Sequence, residues 1–182
     1  MKKALVIIDV QNDYFLGGAN ELYEPDKALD MIQKLIHSFR TKNEKIYYVQ
    51  HISGESGSFF LPNTVGCQIH EKIKPQDNDK IIVKHYPSSF LGTTLHEELQ
   101  KDEVDELVVC GMMTHMCVDT TVRVAQNYGY KVILISDGCA TKDLEFKGRK
   151  IEATVVQDTY LASLKHVFAD IMTCEEFLEV QK

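Results

Sequence analysis

Three reactive side chains follow short apolar runs of the sequence. Asp9 ends LVIID, Lys84 ends KIIVK, and Cys117 follows LVVC within GMMTHMCVDTTVRVAQ. A carboxylate at the edge of a hydrophobic core is costly unless it is paired, and Lys84 offers the opposite charge. The helical pattern begins around Cys117, where the helix dipole and a nearby lysine would favour the thiolate. The three residue types together predict a cysteine nucleophile supported by an acid–base pair.

Each of these residues also has a structural explanation when it is taken singly. Aspartate commonly follows strands as a turn residue. A lysine can lay its stem along apolar surface with its ammonium in water. A cysteine can pack as a small hydrophobe. Because Asp9, Lys84 and Cys117 all follow strands, the chemical interpretation is favoured over three separate structural ones.

The elements that must position these residues alternate along the chain. Short apolar runs rich in β-branched residues predict buried parallel strands at 4–8, 46–49, 81–83, 107–110, 132–135 and, more weakly, 167–171. Helical patterns lie between them, first after Pro25 and then at 91–100, 117–128, 152–164 and 174–180. Lys147-Gly148 is typical of a hairpin turn. The alternation predicts one domain over residues 1–182, with a doubly wound α/β sheet.

In this class of fold, ligands bind beyond the carboxyl ends of the strands, near the point where the strand order reverses. Five residues end the predicted strands and are therefore candidates for the site: Asp9, His51, Lys84, Gly111 and Asp137. The irregular stretch at 53–79 follows the second strand and is a candidate lid or pocket wall.

Composition excludes several classes of protein. The chain has 182 residues, 44% of them hydrophobic and 26% charged, as in ordinary globular domains. A net charge of -7 argues against a nucleic-acid partner. The apolar run LVII is too short for a signal peptide, and no stretch is long enough to cross a membrane, so we expect a cytoplasmic protein. The five cysteines contain no C-x-x-C pair, and neither GxGxxG nor a P-loop occurs.

The segments around the reactive residues resemble the isochorismatase-like cysteine hydrolases, which include nicotinamidases, N-carbamoylsarcosine amidohydrolases and ureide amidases. The resemblance rests on LVIIDVQNDY, KHYPSSFLGTTL and GMMTHMCVDTT and covers nearly the whole chain. It implies a catalytic triad of Asp9, Lys84 and Cys117 in a three-layer αβα sandwich with a Rossmann-like, mainly parallel six-stranded sheet. It also implies a cis peptide bond between Met112 and Met113, with the Met113 and Cys117 amides as an oxyanion hole.

The same resemblance implies the reaction. A hydrolase of this kind cleaves a C–N bond of a small amide, ureide or lactam-like substrate through a thioester on Cys117, with water as the second substrate and no cofactor. It also implies a homo-oligomer, either a dimer or a tetramer. Three alternatives remain open: a vinyl-ether hydrolase of the isochorismatase type, against which Cys117 argues, a nicotinamidase, and a catalytically silent binding module of the same fold.

The stretch after the second strand departs from the nicotinamidase pattern. Nicotinamidases of the family carry metal ligands in a D-x-H arrangement, whereas this sequence reads YYVQHISGESGSFF, with Gln50 and His51. We therefore expect no metal site. If a metal were bound, His51 and His70 would be the first candidate ligands, although lone histidines more often serve structure or line pockets.

Five residues are predicted to bind substrate: Gln11, Tyr14, His51, Phe60 and Phe90. A structural hydrogen bond is an equal alternative for the Gln11 amide. Simple core packing is the alternative for Phe60 and Phe90.

Overall fold

The computed structural model describes residues 1–181, in which strands and helices alternate as the sequence predicts. The strands are β1 (Lys3–Ile8), β2 (Lys45–His51), β3 (Lys80–Lys84), β4 (Glu106–Met112), β5 (Lys131–Ala140), β6 (Leu144–Phe146), β7 (Arg149–Ile151) and β8 (Asp170–Met172). The α-helices are α1 (Pro25–Thr41), α2 (Leu95–Lys101), α3 (Asp119–Asn127), α4 (Ala153–Leu164) and α5 (Cys174–Val180). Within these residues, no helix is both long and apolar enough to cross a bilayer.

Six strands form one parallel sheet in the order β3-β2-β1-β4-β5-β8. The chain moves outward from β1 through β2 to β3, then returns beside β1 as β4 and continues to the other edge. The order of strands therefore reverses between β1 and β4, which is where such sheets bind ligands. Asp9 directly follows β1, and Cys117 follows β4 after a few residues.

Helices cover both faces of this sheet, so the doubly wound three-layer fold is confirmed. Leu5 and Ile7 of β1 face one core, which includes Phe39 of α1 and Phe177 of α5. The alternate residues of β1 face a second core, which includes residues of α2, α3 and α4. Burial of each such side chain contributes about 1.5–3 kcal/mol, which explains why β1 is apolar at nearly every position.

Several element boundaries differ from the sequence prediction, among them the end of β5, which continues to Ala140 rather than stopping at 135. The sixth strand begins at Asp170 rather than 167, because the N–H groups of Phe168 and Ala169 bond to the Leu164 carbonyl at the end of α4. The helix predicted from 91 begins at Leu95, since the Thr93 hydroxyl donates back to Ser89 in the preceding loop. The helix predicted from 117 is preceded by a π-helical turn, Thr114–Val118.

The predicted turn at Lys147-Gly148 joins β6 and β7 in a small antiparallel hairpin. Lys147 and Gly148 have φ values of 53° and 71°, so both lie in the left-handed region that two-residue hairpin turns require.

Candidate active site

Asp9 lies where β1 leaves the sheet. Its N–H donates to the Val49 carbonyl at 3.0 Å, and its φ of 51° turns the chain out of the strand. Gly111 of β4 lies alongside, where an added Cβ would be 2.1 Å from the Ile8 carbonyl oxygen. Only glycine permits this close approach of β4 to β1. Asp9 is thereby held beside the chain that leads to Cys117.

Lys84 is the last residue of β3, and its side chain is completely buried. Its ammonium Nζ lies 2.7 Å from Asp9 Oδ2, 3.0 Å from His51 Nδ1, 3.1 Å from the Tyr86 carbonyl oxygen and 3.2 Å from Cys117 Sγ. An ammonium carries only three protons. The four neighbours therefore compete for three hydrogen bonds.

Cys117 lies in the π-helical turn that leads into α3 and is 6% exposed. The Val118 N–H donates to the Met113 carbonyl at 3.2 Å and closes this turn. The peptide bond between Met112 and Met113, just before the turn, is cis. The turn presents the thiol to the ends of β1 and β3, where Asp9 and Lys84 lie.

Burial controls the charges of these three groups. It raises the pKa of the Asp9 carboxyl, although Lys84 opposes this. Burial, and after it the Asp9 charge, raise the pKa of the Cys117 thiol, while the Lys84 charge acts to lower it. Burial acts to lower the pKa of Lys84, but Asp9 and Cys117 raise it overall. The raised pKa of Cys117 favours the neutral thiol in the free site, rather than the thiolate that the helix dipole suggests.

Comparison with known proteins identifies the family of this chain. Residues 3–176 match the family model described as the isochorismatase domain. This chain belongs to the isochorismatase family. Its relatives include a streptothricin hydrolase and a nicotinamidase. The protein is a hydrolase of that family.

Three relatives illustrate the range of the isochorismatase family. YddQ of Bacillus subtilis, an uncharacterized isochorismatase family protein, is 44% identical over 98% of this chain and 100% of its own length. A streptothricin hydrolase of Streptomyces noursei is 32% identical over 78% of this chain and 51% of that protein. The nicotinamidase of Escherichia coli is 28% identical over 75% of this chain and 82% of that protein.

A solved structure supports the same assignment. An isochorismatase from Pseudomonas putida is similar to this chain with a TM-score of 0.90 and 35% identity, over 95% of this chain and 88% of that one.

Three of the five residues predicted to bind substrate lie together, next to Lys84. The Phe60 ring centroid is 4.6 Å from that of Tyr14 and 6.0 Å from that of His51. Burial, and then the charges of Asp9 and Cys117, raise the pKa of the Tyr14 hydroxyl. Phe60 is completely buried with a φ of 55°, an unfavourable conformation for an aromatic residue. Tyr14, His51 and Phe60 form an aromatic wall.

The other two predicted residues have structural contacts instead. Gln11 Nε2 donates to the carbonyls of His51 and Cys67, while Oε1 accepts from the His51 N–H at 2.8 Å. Gln11 therefore fixes the backbone of His51 rather than offering its amide to a ligand. Phe90 packs against Tyr128, with 5.2 Å between the ring centroids, and belongs to the second core.

Asp13, which is not among the residues predicted for the site, fixes the aromatic wall. Its carboxylate accepts from the N–H groups of Phe60 at 2.6 Å and Ala19 at 3.1 Å. A Cβ at Gly66 would lie 2.2 Å from Asp13 Oδ1, so the irregular stretch after β2 closes directly over this carboxylate. The sequence signal was the second aspartate of DVQND, four residues after Asp9.

His51 and His70, the first candidate metal ligands, have different contacts. His70 Nδ1 accepts from the Lys72 N–H at 3.3 Å, and its ring contacts Phe15, so it caps a short turn. His51 instead has one ligand atom within 4.8 Å of those of Asp9 and Cys117. The Lys84 ammonium contacts these same three residues.

Asp9 and Lys84 are 0% exposed and Cys117 is 6% exposed, so all three side chains are buried. A separate cleft of about 840 Å³ lies along α1 and Leu178 of α5.

Proposed function

We propose that this protein hydrolyses a C–N bond of a small amide, ureide or lactam-like substrate through a thioester on Cys117. The observation that carries the proposal is the contact of one buried ammonium with both the Asp9 carboxylate and the Cys117 sulfur, at 2.7 Å and 3.2 Å. A nucleophile, a base and a fixed cation at one strand-end site suit acyl transfer.

Asp9 is the general base of the proposed first step. Among the described residues, neither of its oxygens receives a hydrogen bond of good geometry, although Lys84 provides the ion pair. Burial raises its pKa above that of an ordinary aspartate and so makes the carboxylate a stronger base, and a positioned acid–base group contributes typically about 10²–10⁴-fold. Asp9 takes the thiol proton while Cys117 attacks the substrate carbonyl carbon.

The tetrahedral intermediate then collapses to the thioester. Its oxyanion accepts hydrogen bonds from the Met113 and Cys117 amides, each donor of this kind contributing about 3 kcal/mol. Protonated Asp9 gives its proton to the leaving nitrogen as the C–N bond breaks. In the second half, Asp9 takes a proton from water, whose oxygen attacks the thioester, and returns it to the departing sulfur. Lys84 stabilises whichever of Asp9 and Cys117 carries the negative charge.

Two further features of the proposal follow from the sequence. All five cysteines are free thiols, which suits a reducing compartment such as the cytoplasm. The family resemblance implies a homo-oligomer, which light scattering on the purified protein measures directly.

A hydrolysis screen with Cys117→Ala as the inactive variant tests the proposal. Small primary amides, ureides and lactams are supplied, nicotinamide among them, and release of ammonia or amine is measured. Cys174→Ala is the matched control, because Cys174 is also buried but lies at the start of α5, next to Met31. We expect turnover in the wild type and in Cys174→Ala, and none in Cys117→Ala. Equal rates with and without Cys117 would overturn the nucleophile assignment.

A further inference from the structure

The surroundings of the Lys84 ammonium have the composition of a metal site. A carboxylate, an imidazole nitrogen, a sulfur and a backbone carbonyl surround this cation at 2.7–3.2 Å. The ligand atoms of Asp9, His51 and Cys117 also lie within 4.8 Å of one another. Cysteine, histidine and aspartate together are the ligands that Zn²⁺ and related divalent ions prefer.

Each of the three ligands is able to bind a metal in this environment. The Asp9 oxygens are buried, and no described residue gives them a hydrogen bond of good geometry. The His51 Nδ1 atom lies 3.0 Å from the Lys84 ammonium, so this ring nitrogen already faces a cation within the cluster. The Cys117 sulfur already contacts a cation at 3.2 Å, and a metal replaces a thiol proton as it binds.

We propose that Asp9, His51 and Cys117 form a binding site for Zn²⁺ or a similar divalent ion, which inactivates the nucleophile by competing with the Lys84 ammonium. On binding, the metal forms a bond to sulfur and the thiol proton leaves to solvent. The Lys84 ammonium also loses one proton to solvent, so that two protons leave in total. The neutral amine of Lys84 remains beside the metal. No oxidation or reduction takes place.

The distances are compatible with this exchange. Zinc binds nitrogen and oxygen at about 2.0–2.2 Å and sulfur at about 2.3 Å, so ligand atoms in a tetrahedral site are about 3.3–3.8 Å apart. Donor atoms that lie up to 4.8 Å apart must therefore approach each other by about 1 Å. The movement is within reach of side-chain adjustment around Cys117 and His51.

Such a site is distinct from the D-x-H arrangement that the sequence lacks. Here the ligands are the nucleophile and its base, so bound metal blocks the proposed reaction rather than assisting it. The inactivation rests on the proposed function, whereas metal binding by the three ligands does not depend on the identity of the substrate.

Cobalt is the probe that tests the site, because a Co²⁺–thiolate bond gives a charge-transfer absorption band in the near ultraviolet. Co²⁺ is titrated into the purified full-length wild type, Cys117→Ala, His51→Phe and Lys84→Met. His85→Phe is the matched control, since exposed His85 bonds to the Ile52 carbonyl and not to Lys84. Zn²⁺ is then added to displace Co²⁺.

We expect the band in the wild type and in His85→Phe at one Co²⁺ per chain. The band should be absent from Cys117→Ala. The affinity for Co²⁺ should be at least about tenfold weaker in His51→Phe and at least about tenfold stronger in Lys84→Met. Zn²⁺ should also protect Cys117 from iodoacetamide, with EDTA restoring the labelling.

Two results would overturn the proposal. One is a wild type without a band up to millimolar Co²⁺, and the other is a band that survives in Cys117→Ala. The wild-type and Cys117→Ala measurements decide the question even if Lys84→Met does not fold. Because every reading is spectroscopic or chemical, a failed substrate screen leaves this test intact.

Discussion

Replacing Lys84 by methionine removes the only cation contacting Asp9 among the described residues, while keeping a side chain of similar length. Both residues are 0% exposed, and their charges are 2.7 Å apart. Removing one partner of a buried ion pair typically costs about 3–5 kcal/mol, because the other charge stays buried and unpaired. For a chain of this size each kcal/mol lowers Tm by about 2–4 °C. We therefore expect Lys84→Met to melt about 6–20 °C below the wild type at neutral pH.

The loss should depend on pH with a definite sign. Burial already raises the pKa of Asp9 above its ordinary value of 3.8, and without Lys84 less opposes this effect. A group with a raised pKa in the folded state contributes stability that is complete below its unfolded pKa and lost as pH rises through the folded pKa. Lys84→Met should therefore approach wild-type stability as pH falls toward 4, and be least stable near pH 8.

Urea and thermal unfolding at pH 5 and pH 8, followed by circular dichroism, measure both effects. Adding Asp9→Asn to Lys84→Met removes the unpaired carboxylate and should recover most of the loss at pH 8. Lys80→Met is the matched control, because Lys80 is on the same strand but pairs with Glu98 and Asp102 near the surface, where such pairs contribute about 0–1 kcal/mol. Equal destabilisation at both pH values, or a double variant no more stable than Lys84→Met, would refute the reasoning.

Three further predictions concern chemistry and backbone. Rapidly quenched turnover should show an acyl adduct on Cys117 by intact-mass spectrometry with peptide mapping, and an adduct on another cysteine would contradict the mechanism. EDTA should leave the hydrolytic rate unchanged, since thiol, carboxylate, ammonium and amides suffice; metal-reversible inactivation by EDTA would disprove this. Gly111→Ala should cost more than about 2 kcal/mol in urea unfolding and reduce activity, because its Cβ would meet Ile8. Gly148→Ala, in open space, should cost about 1 kcal/mol, so equal losses would argue against the close contact of β1 and β4.

The sequence allowed the fold, and the side chains that meet at the site, to be predicted because both depend on the ends of apolar runs. Asp9 and Lys84 directly follow β-branched strands, and a parallel sheet necessarily brings such ends to one edge. The directions of side chains beyond those ends were harder to predict. Gln11 lies in a turn, where no periodicity specifies its orientation, and its amide is used by the backbone of His51.

Long-range burial accounts for the remaining differences. The helix dipole near Cys117 is a local feature and suggested a thiolate, whereas desolvation by the whole fold raises the thiol pKa. Asp13 was overlooked for a related reason, since its partners Phe60 and Gly66 are about fifty residues away in sequence.

The excess of acceptors around the Lys84 ammonium has a consequence for motion during catalysis. If His51 and the Tyr86 carbonyl keep two of its protons, the third is shared between Asp9 and Cys117. In the proposed mechanism, a small rotation about the terminal C–N bond turns the three protons together and moves the shared one from the Asp9 side toward the sulfur as negative charge moves between them. Little displacement of heavy atoms is needed for this step, because Asp9 and Cys117 both already lie within 3.2 Å of the ammonium. The slow motions of this enzyme are therefore expected in the residues that admit the substrate, and not in the triad.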